Sequence, residues 1–410
     1  MDALTGPVDV AAIETARLRL RDAIVETPCA YSQTLSELTR ARCFVKLENL
    51  QMTGSFKERG AANLLLQLGP EARRSGVIAA SAGNHGLAVA FHAERLGIPA
   101  TIVMPEYAPL IKVTSARRYG AEVILHGGNY DDAYERARAL GAERGLVFVH
   151  PFDDPRVIAG QGTLGLELLE QLPDVEAILV PVGGGGLVAG VALAVKAKRP
   201  EIRVIGVQSA ALPAMARSLE CGERLRVAAG ATIADGIAVR QVGKLTLDLV
   251  RQWVDRVVTV DEEELANAVL LLLEIEKTVV EGAGAAPLAA LLNRQLDLEG
   301  RRVALVLSGG NIDVTMLARI IERGLVKDGR LVRLGVLLRD RPGELARLTA
   351  LIAEERANIL HILHDRAFSA HAAIGQTEVE LTLETSGPEQ IAAVKRRLEV
   401  SGYRVEERNR

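Results

Sequence analysis

The feature that most constrains the fold of this chain is a repeated order of apolar strand, glycine-rich or proline-rich turn, and helix. The candidate strands are residues 43–47, 77–81, 100–104, 122–125, 147–149, 177–182, 203–208, 256–260 and 303–307. Strands that alternate with helices predict open parallel sheets with right-handed crossovers and helices on both faces. The expected class is α/β, and loops with a function should follow the carboxyl ends of strands.

The pattern changes after residue 323. Residues 324–330 are short, polar and flanked by glycines, which is typical of a linker. Residues 331–410 then predict strands at 331–338, 358–368, 377–384 and 403–407, with helices from 341 and over 388–401. This βαββαβ order indicates a small α+β ferredoxin-like domain. Because it holds no convincing nucleophile or acid–base pair, we expect it to bind or assemble rather than catalyse.

Composition excludes several classes of protein. The net charge is −3 and the basic residues are dispersed, so no nucleic acid or membrane partner is expected. The uncharged run 177–195 is interrupted by Pro181 and four glycines, which favours strand, loop and helix over a membrane span. Three scattered cysteines and the lack of an N-terminal apolar core suit a reducing cytoplasm. No spacing of ligands predicts a metal.

Lys57 lies in the stretch from Asn49 to Gly60, between a strand and a helix predicted over residues 61–68. A lysine at a helix N-terminus meets the positive end of the helix dipole, which disfavours its protonated form. An amine that is partly neutral is a nucleophile for carbonyl groups. An ordinary solvated lysine explains this stretch equally well.

Three further loops follow strands. The loop Ser81–Gly86 opens a helix and is suited to a small anion such as a carboxylate, with Asn84 and His85 as additional side-chain donors. A capped turn is the alternative. The four glycines Gly183–Gly186 favour a phosphate cradle, but Leu187 replaces the Lys of a P-loop, and the acid that binds a ribose is missing. Ser308 adds a neutral hydroxyl after the last strand, where a plain turn is equally good.

These loops and Lys57 are consistent with one cofactor. Pyridoxal phosphate has an aldehyde for the lysine, a phosphate for the glycines and a ring nitrogen for a polar partner. Each feature has an ordinary explanation by itself. Their coincidence at strand ends of one α/β body predicts this cofactor.

The motifs resemble those of the threonine ammonia-lyases (threonine dehydratases), which belong to the tryptophan-synthase-β-like class (fold type II) of pyridoxal-phosphate enzymes. The resemblance covers residues 10–322 and rests on Ser55–Ala61, Ser81–Gly86, Gly183–Leu187, Glu281–Gly284 and Ser308–Asn311. It implies a catalytic domain over residues 1–323, with a small subdomain of roughly residues 53–152 inserted in a larger one. Residues 331–410, with Asp340–Leu345, resemble one ACT domain, a regulatory module that senses amino acids.

The resemblance also implies roles for individual residues. Lys57 would hold the cofactor as a Schiff base and remove the α proton of the substrate, and the loop residues Ser81, Ala82, Gly83, Asn84 and His85 would bind the substrate. The cofactor would be bound by Lys57, Phe56, Asn84, Gly183, Gly184, Gly185, Gly186, Leu187, Ser308 and Glu281.

The implied reaction is conversion of L-threonine to 2-oxobutanoate and ammonia, and of L-serine to pyruvate. Serine racemases have a serine base where this chain has Ala82, which disfavours racemisation, and they bind a cation through carboxylates where this chain has Gln208 and Ala214. A serine or 3-hydroxyaspartate dehydratase or racemase is the alternative. A nicotinamide-dependent oxidoreductase and an amino-acid sensor without activity are further alternatives.

The ACT resemblance implies an allosteric enzyme that responds to isoleucine or valine. It also implies a homodimer or homotetramer, because such sensor domains usually pair. Isoleucine biosynthesis and threonine breakdown both remain open as the metabolic role.

Overall fold

The computed structural model describes residues 8–293, 296–365 and 373–408, and it confirms the α/β class. It divides into two units, residues 1–313 and 314–410. The strands of the first unit are β1 (Cys29–Tyr31), β2 (Arg42–Lys46), β3 (Val77–Ala80), β4 (Ala100–Met104), β5 (Glu122–Leu125), β6 (Val147–Phe148), β7 (Ala177–Pro181), β8 (Arg203–Ser209), β9 (Arg256–Val260) and β10 (Arg302–Val306).

The first unit also contains thirteen described α-helices. They are α1 (Val10–Leu20), α2 (Gln33–Thr39), α3 (Lys57–Leu66), α4 (Pro70–Ser75), α5 (Asn84–Arg95), α6 (Leu110–Arg118), α7 (Tyr130–Arg144), α8 (Pro155–Gln171), α9 (Gly186–Lys198), α10 (Ala214–Cys221), α11 (Lys244–Trp253), α12 (Glu262–Ile275) and α13 (Gly282–Leu292). Short 3₁₀ turns occupy Glu48–Leu50 and Asp235–Ile237.

The larger sheet has the order β1-β2-β10-β7-β8-β9. Its neighbours pair in parallel, as predicted, except that β1 runs antiparallel to β2. Alternation of strands and helices did not reveal β1, because its three residues are too short to show a period. An edge strand that returns through the short helix α2 can pair antiparallel without a long crossover.

The smaller sheet has the order β5-β4-β3-β6, and all its described pairs are parallel. Side chains alternate across β3. Val77 and Ala79 pack in one apolar cluster with residues of α3 and α5, whereas Ile78 and Ala80 pack in another with residues of α7. Helices therefore cover both faces of this sheet.

Helix α3 begins at Lys57 rather than at Ala61, where the apolar pattern places its start. Glu58 and Arg59 are fully buried in this first turn. Apolar periodicity does not detect a helical turn whose buried side chains are charged, so the predicted start was too late. Lys57 thus occupies the first helical position.

The second unit is a helix followed by the predicted ferredoxin-like domain. Its elements are α14 (Val314–Lys327), β11 (Leu331–Arg339), α15 (Glu344–Glu354), β12 (Asn358–Asp365), β13 (Gln376–Glu384), α16 (Pro388–Val400) and β14 (Arg404–Glu407). The described strands form an antiparallel sheet in the order β12-β13-β11-β14. The end of the predicted strand at 366–368 lies outside the described residues.

The predicted linker at 324–330 is helical in its first part, because α14 continues through Lys327. Gly324 does not end this helix, since an isolated glycine costs a helix only about 1 kcal/mol. Among the helices that the structure describes, we found none with the length and apolar character needed to cross a membrane.

Candidate active site

The glycine and serine loops meet where strands of the larger sheet end. Strands β7 and β10 are neighbours, and they lead into Gly183 and Ser308 respectively. Strand β3 of the smaller sheet leads into Ser81 and the start of α5. Functional loops at the carboxyl ends of parallel strands are the expected arrangement in an open α/β sheet.

Lys57 projects from the first turn of α3 with few partners. Its Nζ donates a hydrogen bond to the Pro151 carbonyl at 2.8 Å and lies 5.2 Å from the centre of the Phe56 ring. Burial lowers the pKa of Lys57 from 10.5 to about 8, although the charge of Glu281 opposes part of this shift. The amine is therefore a nucleophile near neutral pH.

Phe152 follows Pro151, the hydrogen-bond partner of Lys57, and lies against the glycine loop. A Cβ atom on Gly184 would lie 2.3 Å from ring atoms of Phe152, and one on Gly186 would lie 2.9 Å from the Phe152 carbonyl oxygen. These close approaches explain why side chains are excluded here. Gly185 has a φ of +98°, a conformation that also favours glycine.

The glycine loop presents unused donors at the start of α9. Among the described residues, the backbone N–H groups from Gly183 to Leu187 donate no hydrogen bond. Converging N–H groups at a helix N-terminus bind anions, and phosphate is a common occupant. The loop is thus suited to the phosphate predicted from the sequence.

Asn84 begins α5 and joins two other elements. Its Nδ2 donates to Glu281 Oε1 at 2.8 Å, and its Oδ1 accepts from Asn311 Nδ2 at 2.8 Å. Burial raises the pKa of Glu281 to about 7, despite its hydrogen bond with Asn84. The structure therefore brings Asn84, Glu281 and the Ser308–Asn311 loop together.

Two histidines near Lys57 are neutral. Burial and the charge of Lys57 lower the pKa of His85 to about 3, and burial lowers the pKa of His150 to about 4. His85 Nε2 lies 2.8 Å from the Val149 carbonyl, so this nitrogen carries the proton and Nδ1 is an acceptor. The expectation that the His85 side chain adds a donor to the anion loop is wrong, because its one N–H is already used.

Other donors remain in the loops around Lys57. Ser308 is buried, and its hydroxyl makes no hydrogen bond with another described residue, whereas its carbonyl accepts from Phe56 N at 3.0 Å. Ser55 is fully buried, and its Oγ has no partner among the described residues. Ser81 Oγ accepts from Gly83 N at 3.1 Å, which orders the 81–85 loop.

The residues present fit pyridoxal phosphate. The amine of Lys57 is deprotonated in part near neutral pH, the glycine loop offers free N–H groups, and Ser308 has a free hydroxyl. These are the chemical groups needed for its aldehyde, phosphate and ring nitrogen.

Sequence reasoning missed three contributors. Pro151 acts through its carbonyl, for which no sequence signal exists. Phe152 lies in the loop after β6, so its position after a strand could have indicated it. Asn311 belongs to a motif that was recognised, but its role depends on a partner that is distant in the sequence.

Comparison with known proteins agrees with this geometry. Residues 20–309 match the family described as pyridoxal-phosphate dependent enzyme, and residues 332–400 match the ACT domain. The chain belongs to the pyridoxal-phosphate dependent enzyme family and carries a C-terminal ACT domain.

Three individual proteins are similar to this chain over most of its length. An L-threonine ammonia-lyase from Thermotoga maritima is 52% identical over 96% of this chain and 98% of its own length. The processed form of threonine deaminase isoform 2 from Solanum lycopersicum has a TM-score of 0.74 at 35% identity, covering 77% of this chain and 90% of that one. Maize serine racemase has a TM-score of 0.74 at 36% identity, covering 78% of this chain and 99% of that one.

Proposed function

We propose that this protein is a pyridoxal-phosphate-dependent ammonia-lyase that converts L-threonine to 2-oxobutanoate and ammonia. The observation that carries the proposal is the similarity to L-threonine ammonia-lyase at 52% identity, because it covers both the catalytic unit and the ACT domain. L-serine is the expected second substrate, giving pyruvate.

The residues around Lys57 would hold the cofactor in complementary ways. Lys57 would bind its aldehyde, the Gly183–Leu187 loop its phosphate, and Ser308 its ring nitrogen. Phe56 would pack beside the ring, with Asn84 and Glu281 at the ring oxygen. When bound, the cofactor withdraws electrons from the substrate nitrogen and so acidifies the Cα–H bond.

Lys57 is the proposed base. When it is not bonded to the cofactor, Nζ of Lys57 would accept the proton from the substrate Cα, because its pKa of about 8 suits an acceptor near neutral pH. The Cβ–O bond then breaks, so that the proton and the hydroxyl lost by the substrate together amount to one water. The resulting enamine takes up one water and gives 2-oxobutanoate and ammonia.

The 81–85 loop is the proposed site of the substrate carboxylate. With the His85 side chain bound to Val149, we assign this role to the Ser81 hydroxyl, backbone N–H groups of the loop and the start of α5. Ala82 offers no group that could return a proton to the opposite face of Cα. We therefore expect elimination rather than racemisation.

A substrate panel tests this function. Purified protein with added pyridoxal phosphate should show a visible absorbance band, absent in Lys57→Ala, and should form a 2-oxo acid from L-threonine. L-serine, D-serine and 3-hydroxyaspartate distinguish the proposal from the alternative, for which maize serine racemase is the structural relative. Colourless protein that yields no 2-oxo acid from threonine would contradict the proposal, and rapid exchange between serine enantiomers would favour the alternative.

We also propose regulation through the ACT domain. Isoleucine or valine is the expected effector, and a homodimer or homotetramer is the expected assembly. Titration of isoleucine into the full chain should change threonine turnover, whereas a chain ending at residue 329 should keep turnover and lose the response. Equal sensitivity in both chains would contradict this assignment. A reducing cytoplasm is the expected location, since Cys29, Cys43 and Cys221 are free.

A further inference from the structure

Asn311 forms side-chain hydrogen bonds with two segments of the candidate site. Its Nδ2 donates to the Thr53 carbonyl at 2.7 Å and to Asn84 Oδ1 at 2.8 Å. Thr53 lies in the loop that leads into Lys57, and Asn84 lies at the start of α5. One side-chain amide therefore ties together the loops that carry the amine and the ring-binding amide.

The direction of these hydrogen bonds follows from chemistry. A backbone carbonyl only accepts, so the Asn311 atom next to Thr53 O must be the NH₂ group. The second N–H of that group points to Asn84, which must then present its oxygen. The NH₂ group of Asn84 is thereby left for Glu281 and for any ligand atom beside it.

Two glycines leave space for this arrangement. A Cβ atom on Gly54 would lie 2.8 Å from Asn311 Oδ1. A Cβ atom on Gly309 would lie 2.7 Å from Glu281 Oε1 and 3.1 Å from Asn84 Nδ2. All three distances are shorter than or close to the contact limit between carbon and nitrogen or oxygen, so a side chain at either position would displace the polar groups of Asn311, Asn84 or Glu281.

We propose that Asn311 is a positioning residue that sets the orientation of the Asn84 amide, so that Asn84 presents a donor to the cofactor. The inference rests on the proposed function, since it assigns Asn84 to the ring oxygen of pyridoxal phosphate. A donor at that oxygen stabilises its ionised form. With the amide reversed, an acceptor would face both Glu281 and the ring oxygen.

A variant of nearly equal size tests the inference. Asn311→Asp replaces the NH₂ group with an acceptor, so Asn84 must turn its own NH₂ toward residue 311. The dissociation constant for pyridoxal phosphate, measured by titrating apoenzyme and following visible absorbance, should rise about tenfold, as expected for one reversed hydrogen bond. Asn311→Ala leaves Glu281 as the hydrogen-bond partner that orients the Asn84 amide, and it should raise the dissociation constant by about threefold.

The Asn84→Ala background distinguishes positioning from a general structural role. In that background Asn311→Asp should change the dissociation constant by less than about twofold, because the group on which it acts is missing. The pH midpoint of the change in the visible band should differ between Asn311→Asp and the parent protein. In the Asn84→Ala background, Asn311→Asp should leave this midpoint unchanged. Equal effects in both backgrounds would overturn the inference.

Two controls complete the experiment. Asn358→Asp makes the same chemical change in the second unit, where Asn358 bonds to Glu384, and should leave the dissociation constant unchanged. If Asn311→Asp does not fold, as judged by thermal unfolding of the apoenzyme, the comparison is made with Asn311→Ala in the two backgrounds. If the unmodified protein does not bind pyridoxal phosphate, the proposed function fails with the inference, whereas normal binding with additive effects defeats the inference alone.

Discussion

Two lysines close to the start of α3 have opposite surroundings. Lys46 on β2 is fully buried, and its Nζ donates to Glu167 Oε2 at 2.8 Å, to the Thr27 carbonyl at 2.6 Å and to Gln171 Oε1 at 3.0 Å. Lys57 Nζ has the Pro151 carbonyl as its hydrogen-bond partner, and no carboxylate of the described residues lies within 4.0 Å of it. Two buried amines can therefore differ in availability, because the Nζ of Lys46 is bound to a carboxylate and the Nζ of Lys57 is bound to a backbone carbonyl.

Arg59 connects the two environments. It is fully buried, it donates to Glu48 Oε2 and Oε1 at 2.7 Å, and it donates to Glu167 Oε1 and Oε2 at 2.6 and 2.8 Å. With Lys46, this buried cluster has two cations and two carboxylates. The first turn of α3 therefore contains both an anchored guanidinium and, two residues earlier, the amine without a carboxylate partner.

The same substitution at both lysines should give the largest contrast. Lys57→Arg keeps a positive charge but cannot condense with an aldehyde, so threonine turnover should fall by at least about 10³-fold. Lys46→Arg keeps its carboxylate partner and should change turnover by only a few-fold. Steady-state formation of 2-oxobutanoate measures both, and comparable losses in the two variants would break the contrast.

Removal of Arg59 should have the largest effect on stability. Arg59→Met leaves Glu48 and Glu167 with Lys46 as their remaining cation, which should lower the free energy of unfolding by about 3–5 kcal/mol. Arg217→Met is the matched control, because Arg217 pairs with Glu220 at 3.5 Å while both side chains are mostly exposed. The control should stay within about 0.5 kcal/mol of the parent in urea denaturation of the apoenzyme. A loss of similar size in both variants would contradict a special role for the buried cluster.

Replacement of each lysine by methionine should change stability in opposite directions. Lys46→Met removes one cation from a balanced buried cluster and should cost about 1–3 kcal/mol. Lys57→Met removes a charge that burial disfavours, so the apoenzyme should gain about 1 kcal/mol at pH 7. Denaturant unfolding at that pH measures both, and a loss of stability in Lys57→Met would show that its amine is better paired than the structure indicates.

Capture of the cofactor by the apoenzyme should also depend on pH. The neutral amine of Lys57 is the form that attacks an aldehyde, so the rate at which apoenzyme captures pyridoxal phosphate should rise about tenfold per pH unit below 8 and level off above it. An unperturbed lysine would continue to gain reactivity toward pH 10.5. Stopped-flow absorbance, with a free lysine derivative as the control, gives the midpoint, and a midpoint near 10.5 would contradict the lowered pKa.

The chemistry of the site was largely readable from local sequence. Lys57, the Gly183–Gly186 loop and Ser308 follow strands, and the α/β topology places such loops at the same ends of neighbouring strands. The family match agrees with the predicted cofactor. The predicted start of α3 was four residues too late, because the buried charged side chains of Glu58 and Arg59 do not follow an apolar pattern.

Partners that are distant in the sequence could not be read in this way. His85 Nε2 donates a hydrogen bond to the Val149 carbonyl, and Asn311 Nδ2 donates one to the Thr53 carbonyl. A backbone carbonyl carries no sequence signal, since every residue has one. Such a contact decides whether a side-chain donor is used inside the protein or remains available to a ligand.

Local patterns of residue type were sufficient to predict the α/β and ferredoxin-like folds, the glycine loops and a lysine close to a helix start. The long-range contacts show which of two neighbouring lysines has a carboxylate partner. Lys46 binds Glu167 from α8, whereas the partner of Lys57 among the described residues is the Pro151 carbonyl, and this difference in long-range partners supports Lys57 as the proposed nucleophile.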